Sequence, residues 1–194
     1  KLCMELPMRG TPEQTVEEID ELLAGPGSRL YYGEGVTQLD HALQCAKCAA
    51  EVTADEEIIL AALLHDIGHI CDPTAEPMDA DIGIVDHEGI GARFLRERGF
   101  TQKVADLVNA HVAAKRYLVA TNATYAAQLS PASTATLKHQ GGPMSATEVA
   151  AFEADPLFKT KLRMRSWDEM AKEPGMKTPP LGAYHAMMLR HLTR

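Results

Sequence analysis

Apolar positions recur at helical spacing through most of the chain, and strand alternation is weak. Thr11-Pro12-Glu13-Gln14 reads as an N-cap, a proline at the first helical position and a capping-box glutamine. Val16, Ile19, Leu22 and Leu23 then form an apolar stripe, which Gly25-Pro26-Gly27 ends before a loop, Ser28–Gly35. The pattern predicts a second helix from about Thr37 to Val52, with Leu39, Ala42, Leu43, Ala46, Ala49 and Ala50 inward. A third runs from about Asp55 to His69. Its segment IILAALLHDIGH is apolar on nearly every side, which marks a central, buried helix.

Cys71 to Val85 reads as a polar loop containing Pro73 and Pro77. A fourth helix is capped near Asp86 and stops at Gly99. Thr101 caps a fifth, with Val104, Leu107, Val108 and His111 on one side. Ser130-Pro131 opens a sixth, closed by Gly141-Gly142-Pro143. Ser145 to Glu148 is a capping box for a seventh, and Asp155-Pro156 opens an eighth through about Lys172. A Pro/Gly-rich stretch from Pro174 to Gly182 precedes a terminal helix ending at His191. With no repeat and no domain boundary in this pattern, the expectation is a single all-α domain over residues 1–194.

Composition narrows the function classes. In 194 residues the formal charge is −8, which disfavours nucleic acid or an anionic membrane as the main partner. No apolar run approaches the ~18 residues of a membrane span. The N-terminal KLCMELPMRG is too short and polar for a signal peptide. Four cysteines (Cys3, Cys45, Cys48, Cys71) are too few for a disulfide scaffold, so a reduced, cytoplasmic setting is expected. Cys45-Ala46-Lys47-Cys48 is a CxxC, but inside a helical pattern it reads as packing. The acidic run Glu13, Glu17, Glu18, Asp20, Glu21 reads as a solvated face.

The histidines change the picture. His65-Asp66 lies inside the most apolar segment, where an unpaired carboxylate must neutralise or bind a cation. His69 follows at i+4 from His65, so the two rings are expected to share a face. His41 falls on the apolar side of the second helix, His111 on that of the fifth, and His87 begins the fourth. Asp168 shares a face with Arg165. Imidazoles and carboxylates facing a helical core are how bundles build metal centres. Four histidines (His41, His65, His87, His111) and two aspartates (Asp66, Asp168) exceed one small ion and suit two ions bridged by a carboxylate. Mixed N and O donors favour Fe, Mn or Zn. His139, His185 and His191 lack such context and are expected at the surface.

The segment ALLHDIGH resembles the HD-domain signature, and the order His41, His65-Asp66, His87, His111, Asp168 resembles the two-metal branch of that family. That resemblance implies a domain core over about 30–172. It implies one ion on His41, His65, Asp66 and Asp168 and another on Asp66, His87 and His111, with Asp66 bridging. Phosphodiesterases and mixed-valent diiron oxygenases share this set. Tyr31-Tyr32-Gly33-Glu34, HVAAKRYLV from His111, QGGPM at Gln140–Met144 and RSWDE at Arg165–Glu169 together resemble the oxygenases. Among these they resemble the 2-amino-1-hydroxyethylphosphonate dioxygenases (glycine-forming) and relatives acting on the N-trimethylated analogue. The resemblance runs from Leu30 to His191.

What it implies is an Fe(II)/Fe(III) pair, O2 and a small zwitterionic hydroxyphosphonate as reactants, and no organic cofactor. Neither a GxGxxG nor a P-loop is present. Lys115, at i+4 from His111, and Arg165, beside Asp168, are the expected phosphonate binders. Ser133 sits in the first turn after Ser130-Pro131, where free N–H groups favour an anion. Family likeness adds His69 as a substrate contact, Glu34 as receiver of the cationic end, and Tyr31 as a mobile cover or ligand of the second ion. Tyr32 beside Tyr31 suggests a partial aromatic cage for quaternary ammonium. The expected substrate is therefore 1-hydroxy-2-(trimethylammonio)ethylphosphonate, giving glycine betaine, with the primary amine giving glycine as the alternative. A two-metal phosphohydrolase using bound hydroxide, and a helical module with a sensory or vestigial site, remain as rivals.

Overall fold

The computed structural model describes residues 10–29, 35–78 and 83–194. The expectations for Tyr31, Tyr32 and Glu34 lie outside these residues. Among them are ten α-helices: α1 Pro12–Ala24, α2 Gln38–Ala50, α3 Glu56–Leu64, α4 His87–Glu97, α5 Gln102–Thr121, α6 Ala123–Gln128, α7 Pro131–His139, α8 Ala146–Glu153, α9 Phe158–Met170 and α10 His185–Leu192. Extended pairing between described residues is confined to an isolated bridge, Pro77 to Ile84, and the described residues contain no strand. The all-α expectation holds, and no helix here is long and apolar enough to cross a membrane.

Most caps lie where the sequence puts them, but α4 starts after Asp86 without a side-chain cap, and α9 starts at Phe158 after Leu157 rather than at Asp155-Pro156, also without one. Thr11, Thr37 and Ser145 each close a reciprocal box with Gln14, Asp40 and Glu148, satisfying two otherwise orphaned amides per helix start. Asp55 and Thr101 cap α3 and α5 through the amides of Glu57 and Val104. Helix α3 is central. It packs on α2, α5, α9 and α10, and Leu60, Leu63 and Leu64 are fully buried. Helices α4 and α9 both lie against α5, so α2, α3, α4, α5 and α9 enclose one end of the core.

Three departures from the periodicity carry information. The apolar pattern predicts α3 to His69, but the helix stops at Leu64 and the chain turns at His65-Asp66 into a 3-10 turn, Ile67–His69. Two tertiary demands explain the break. Asp66 takes a non-helical φ of −103°. A side chain on Gly68 would meet the His87 carbonyl oxygen at 1.8 Å, so the turn is pressed against the start of α4 at a point only glycine fits. As a result His65 and His69 do not share a helical face. Helix α6 is the second departure. No stripe announces its six residues, but Asn122 caps it by accepting from the Tyr125 amide.

The third departure is His191, expected at the surface but 2% exposed. Its Nε2 accepts the Thr101 amide at 3.1 Å, and its ring stacks on Phe100. It is a core histidine that fastens α10 to the start of α5. His139 is exposed as expected, and His185 pairs with Asp20, joining α10 to α1.

Candidate metal centre

Each imidazole in the cluster is oriented from behind. His41 Nδ1 lies 2.8 Å from the Ala171 carbonyl, His65 Nδ1 2.9 Å from Ala62, His87 Nδ1 3.3 Å from Ile84 and His111 Nδ1 2.7 Å from Val108. A carbonyl only accepts, so each Nδ1 carries the proton and each Nε2 presents a lone pair. This second-sphere bonding fixes tautomer and ring angle for a cation.

The four Nε2 atoms meet in pairs. His41 and His65 face each other at 3.1 Å, and His87 and His111 at 2.9 Å. Two lone pairs cannot hydrogen-bond one another, so each pair needs a positive charge beside it. Asp66 stands between the pairs. Its Oδ2 is 3.5 Å from both His41 and His65, while its Oδ1 is 3.6 Å from His87 and 3.4 Å from His111. Oδ2 is buried without a hydrogen-bond donor among the described residues. Asp168 Oδ1 lies 3.4 Å from His41 Nε2, the same nitrogen that faces Asp66. All six residues are at most 5% exposed. Oriented nitrogen donors around an orphaned bridging carboxylate fit two metal ions, and the six expected ligands converge as the spacing predicts.

The carboxylates and His111 follow this pattern; at His41 burial lowers the pKa but Cys45 and Asp168 override it and hold it well above the ordinary value, so positive charge is drawn to that place. Burial by itself raises the Asp66 pKa, but attraction to His65, His69, His111 and His87 overrides it and holds the carboxyl well below the ordinary range. Burial, reinforced by His87 and His65, pushes His111 down to about 3, which keeps its ring neutral for a ligand role. Burial also raises Asp168, and the Arg165 guanidinium outweighs it.

Beside the His87–His111 pair opens a pocket lined by both rings, Asp66, Asp168 and His69. His69 stacks on His87 with centroids 3.9 Å apart, and the Ile84 amide donates to its Nδ1. The far wall is Lys115, Ser133, Thr136, Gln140, Arg165 and Lys172. Lys115 donates to Thr136 at 3.0 Å, and burial beside Arg165 pushes its ammonium down to about 8. Arg165 donates to Asp168 and, at 3.3 Å, to Ser133. Thus His69, Lys115, Ser133 and Arg165 come together around one cationic pocket. Thr136, Gln140 and Lys172 were absent from the sequence expectation. Ser133, Thr136 and Gln140 are spaced three and four residues apart, a polar face on α7 that points to the first two once that helix is accepted. Gln140 Oε1 is buried without a donor among the described residues.

A family model described as HD domain matches residues 39–157. The hydroxymethylphosphonate dioxygenase of Gimesia maris is 42% identical over 185 residues, 95% of this chain and 91% of that protein. The [1-hydroxy-2-(trimethylamino)ethyl]phosphonate dioxygenase (glycine-betaine-forming) of Leisingera caerulea is 43% identical over 175 residues, 90% of this chain and 89% of that protein. Ribonuclease Y of Cutibacterium acnes is 34% identical, but over 57% of this chain and 20% of its own length.

Proposed function

The chain belongs to the HD-domain family, and from that premise we propose that it is a two-iron dioxygenase that cleaves the C–P bond of a small 1-hydroxyphosphonate. In the overall change, R–CH(OH)–PO3 and O2 become R–COO and inorganic phosphate. The hydroxyl-bearing carbon gives up all the electrons that O2 takes, so no nicotinamide or flavin is required. The carrying observation is the coupling of an open half-site at His87 and His111 to a buried cationic wall. Relatives of nearly full-length similarity act on hydroxyphosphonates, which supports the same reading.

His41, His65, Asp66, His87, His111 and Asp168 would hold the iron ions, which when bound would supply the redox and Lewis-acid chemistry. The chain's residues do the rest. Lys115, Ser133, Thr136, Gln140 and Arg165 hold the phosphonate, replacing its hydration with fixed donors. His69, fixed by the Ile84 amide and the His87 ring, borders the reacting carbon. Tyr31 covers the open half-site until substrate enters, and Glu34 with Tyr32 receives the substituent R.

For R we propose a trimethylammoniomethyl group, (CH3)3N–CH2, giving glycine betaine. The reading rests on the aromatic and acidic residues Tyr31, Tyr32 and Glu34, which suit a cation without N–H donors. The two dioxygenase relatives differ on this point, since hydroxymethylphosphonate has no cationic end and their identities are nearly equal. The test is anaerobic iron loading followed by each of three substrates with O2: the trimethylammonio, the primary amino and the hydroxymethyl phosphonate. The expected result is oxygen uptake matched by phosphate release, fastest with the first. Release without oxygen would transfer the chain to the metal-dependent hydrolases. No release from any of the three would end the dioxygenase reading.

A further inference from the structure

The wall of the pocket contains a hydrogen-bonded ring on the side of Arg165 remote from the metal ligands. Arg165 Nε donates to the Tyr125 hydroxyl at 2.9 Å. That hydroxyl donates to Glu169 Oε1 at 2.6 Å, and the same oxygen accepts from Arg165 Nη2 at 2.8 Å. Arg165 is 4% exposed and also donates to Ser133 and Asp168. Of the five guanidinium N–H groups, a single one on Nη1 is left without a partner among the described residues. Tyr125 and Glu169 line a second cavity that meets the first at Ser133 and Lys172. Tyr125 lies on α6, which contributes none of the six ligands, and Glu169 follows Asp168 in the last turn of α9.

Arginine has many rotamers, and Asp168 alone is a single tether. The closed ring removes that freedom. It grips the guanidinium at Nε and Nη2 together, so the plane as well as the position is set. We propose that Tyr125 and Glu169 are positioning residues that hold the Arg165 guanidinium as an anion-binding wall while leaving Asp168 on the metal side. The inference rests on the reading that this pocket receives a phosphonate. Glu169 has a second effect. With Asp168 it sets two carboxylates against the one guanidinium, so the net positive charge for the anion comes from Lys115, Lys172 and the metal ions.

The test separates binding from turnover. Hydroxymethylphosphonate and inorganic phosphate are titrated calorimetrically into anaerobic, iron-loaded wild type, Tyr125→Phe, Glu169→Ala and Glu169→Gln, with metal content measured on each. Tyr125→Phe and Glu169→Ala are expected to weaken both anions about tenfold, the scale of one lost bond to a charged group. Metal content stays at the wild-type level, and under turnover the loss falls on KM rather than kcat. Glu169→Gln keeps the accepting oxygen and recovers wild-type affinity, or exceeds it because a negative charge is gone. Unchanged affinity in both Tyr125→Phe and Glu169→Ala overturns the inference. So does a Glu169→Gln variant as weak as Glu169→Ala, since charge or general packing would then be the cause. Should Glu169→Ala fail to fold, Tyr125→Phe, which removes one oxygen, decides alone. A wild type that binds the anions but releases no phosphate sinks the dioxygenase reading and leaves this one standing; a wild type that binds neither anion overturns this one.

Discussion

The two halves of the candidate metal centre are built from the same residue types and differ in enclosure. His41 and His65 are 0% and 1% exposed, and neither lines the pocket. Their half adds Asp168 to the shared Asp66, which gives four protein donors. His87 and His111 have only Asp66 between them among the described residues, and all three line the pocket. A full donor set suits an ion that stays, and an incomplete one suits an ion that must admit reactants. The difference arises from the elements. The sealed pair grows from α2 and the end of α3 under the cover of α9, whereas His87 starts α4 directly after a loop.

The largest effect should come from ligand loss, and it should differ between the halves. His65→Ala and His111→Ala are both expected to reduce phosphate release to background. After gel filtration, His111→Ala should keep about one iron per chain, held by the complete donor set, while His65→Ala keeps less. Metal analysis with circular dichroism as a folding control checks this. The reverse order of retention would break the distinction between a sealed and an open half.

The same contrast explains what the sequence disclosed. His65-Asp66 announces itself because ionisable groups stand in IILAALLHDIGH, and a helical stripe places His41 and His111 inward without any tertiary knowledge. The break of α3 at His65 was not legible, because it depends on Gly68 meeting the His87 backbone across the fold. The pocket wall was half legible. Lys115 and Arg165 stand at helical spacing from ligands, but Tyr125 lies on a six-residue helix without a stripe, and Lys172 follows the end of α9. Gln44 shows the same limit. It looks like one more polar residue, but it clamps both backbone groups of Glu173 and is 2% exposed.

Arg165 connects the halves, touching Asp168 on one side and the pocket on the other. Arg165→Lys keeps the charge but loses the planar fork. Losing one to two charged hydrogen bonds predicts a KM for phosphonate higher by roughly 10- to 100-fold. Some iron should leave the sealed half as well, because Asp168 is no longer held. Steady-state kinetics and metal analysis on one preparation check both, and a change confined to kcat would count against the connection.

The open half should respond to alkali through Lys115. Its ammonium, lowered to about 8, is charged below that pH and neutral above it. Anion affinity should therefore fall as pH rises through about 8, by up to tenfold per unit. Bound metal ions add positive charge and move the midpoint lower still. Loss of the anion's own last proton adds negative charge and strengthens binding to a cationic wall, so it does not produce this falling limb. Lys115→Met should bind hydroxymethylphosphonate weakly at neutral pH and show no alkaline limb in titrations.

His191 supplies the smallest effect and the control for the others. It is as buried as the ligands, but its lone pair takes the Thr101 amide. Burial holds its pKa below the ordinary histidine value, so the folded protein keeps it neutral. The sign follows from proton counting. Below ~6.5 the unfolded chain binds a proton that the folded chain refuses. Its contribution is whole above that pH and is lost as pH falls through the folded value. His191→Phe keeps a ring against Phe100 but strands the Thr101 amide, which predicts about 1 kcal/mol of destabilisation near neutrality. For a chain of this length that is a fall in Tm of roughly 2–4 °C. The difference between wild type and variant should shrink in acid, where the wild type gives up the same bond. Iron content and phosphate release should not change. A His191→Phe protein that loses iron would mean that burial, not the converging lone pairs, had been mistaken for ligation in the other four histidines.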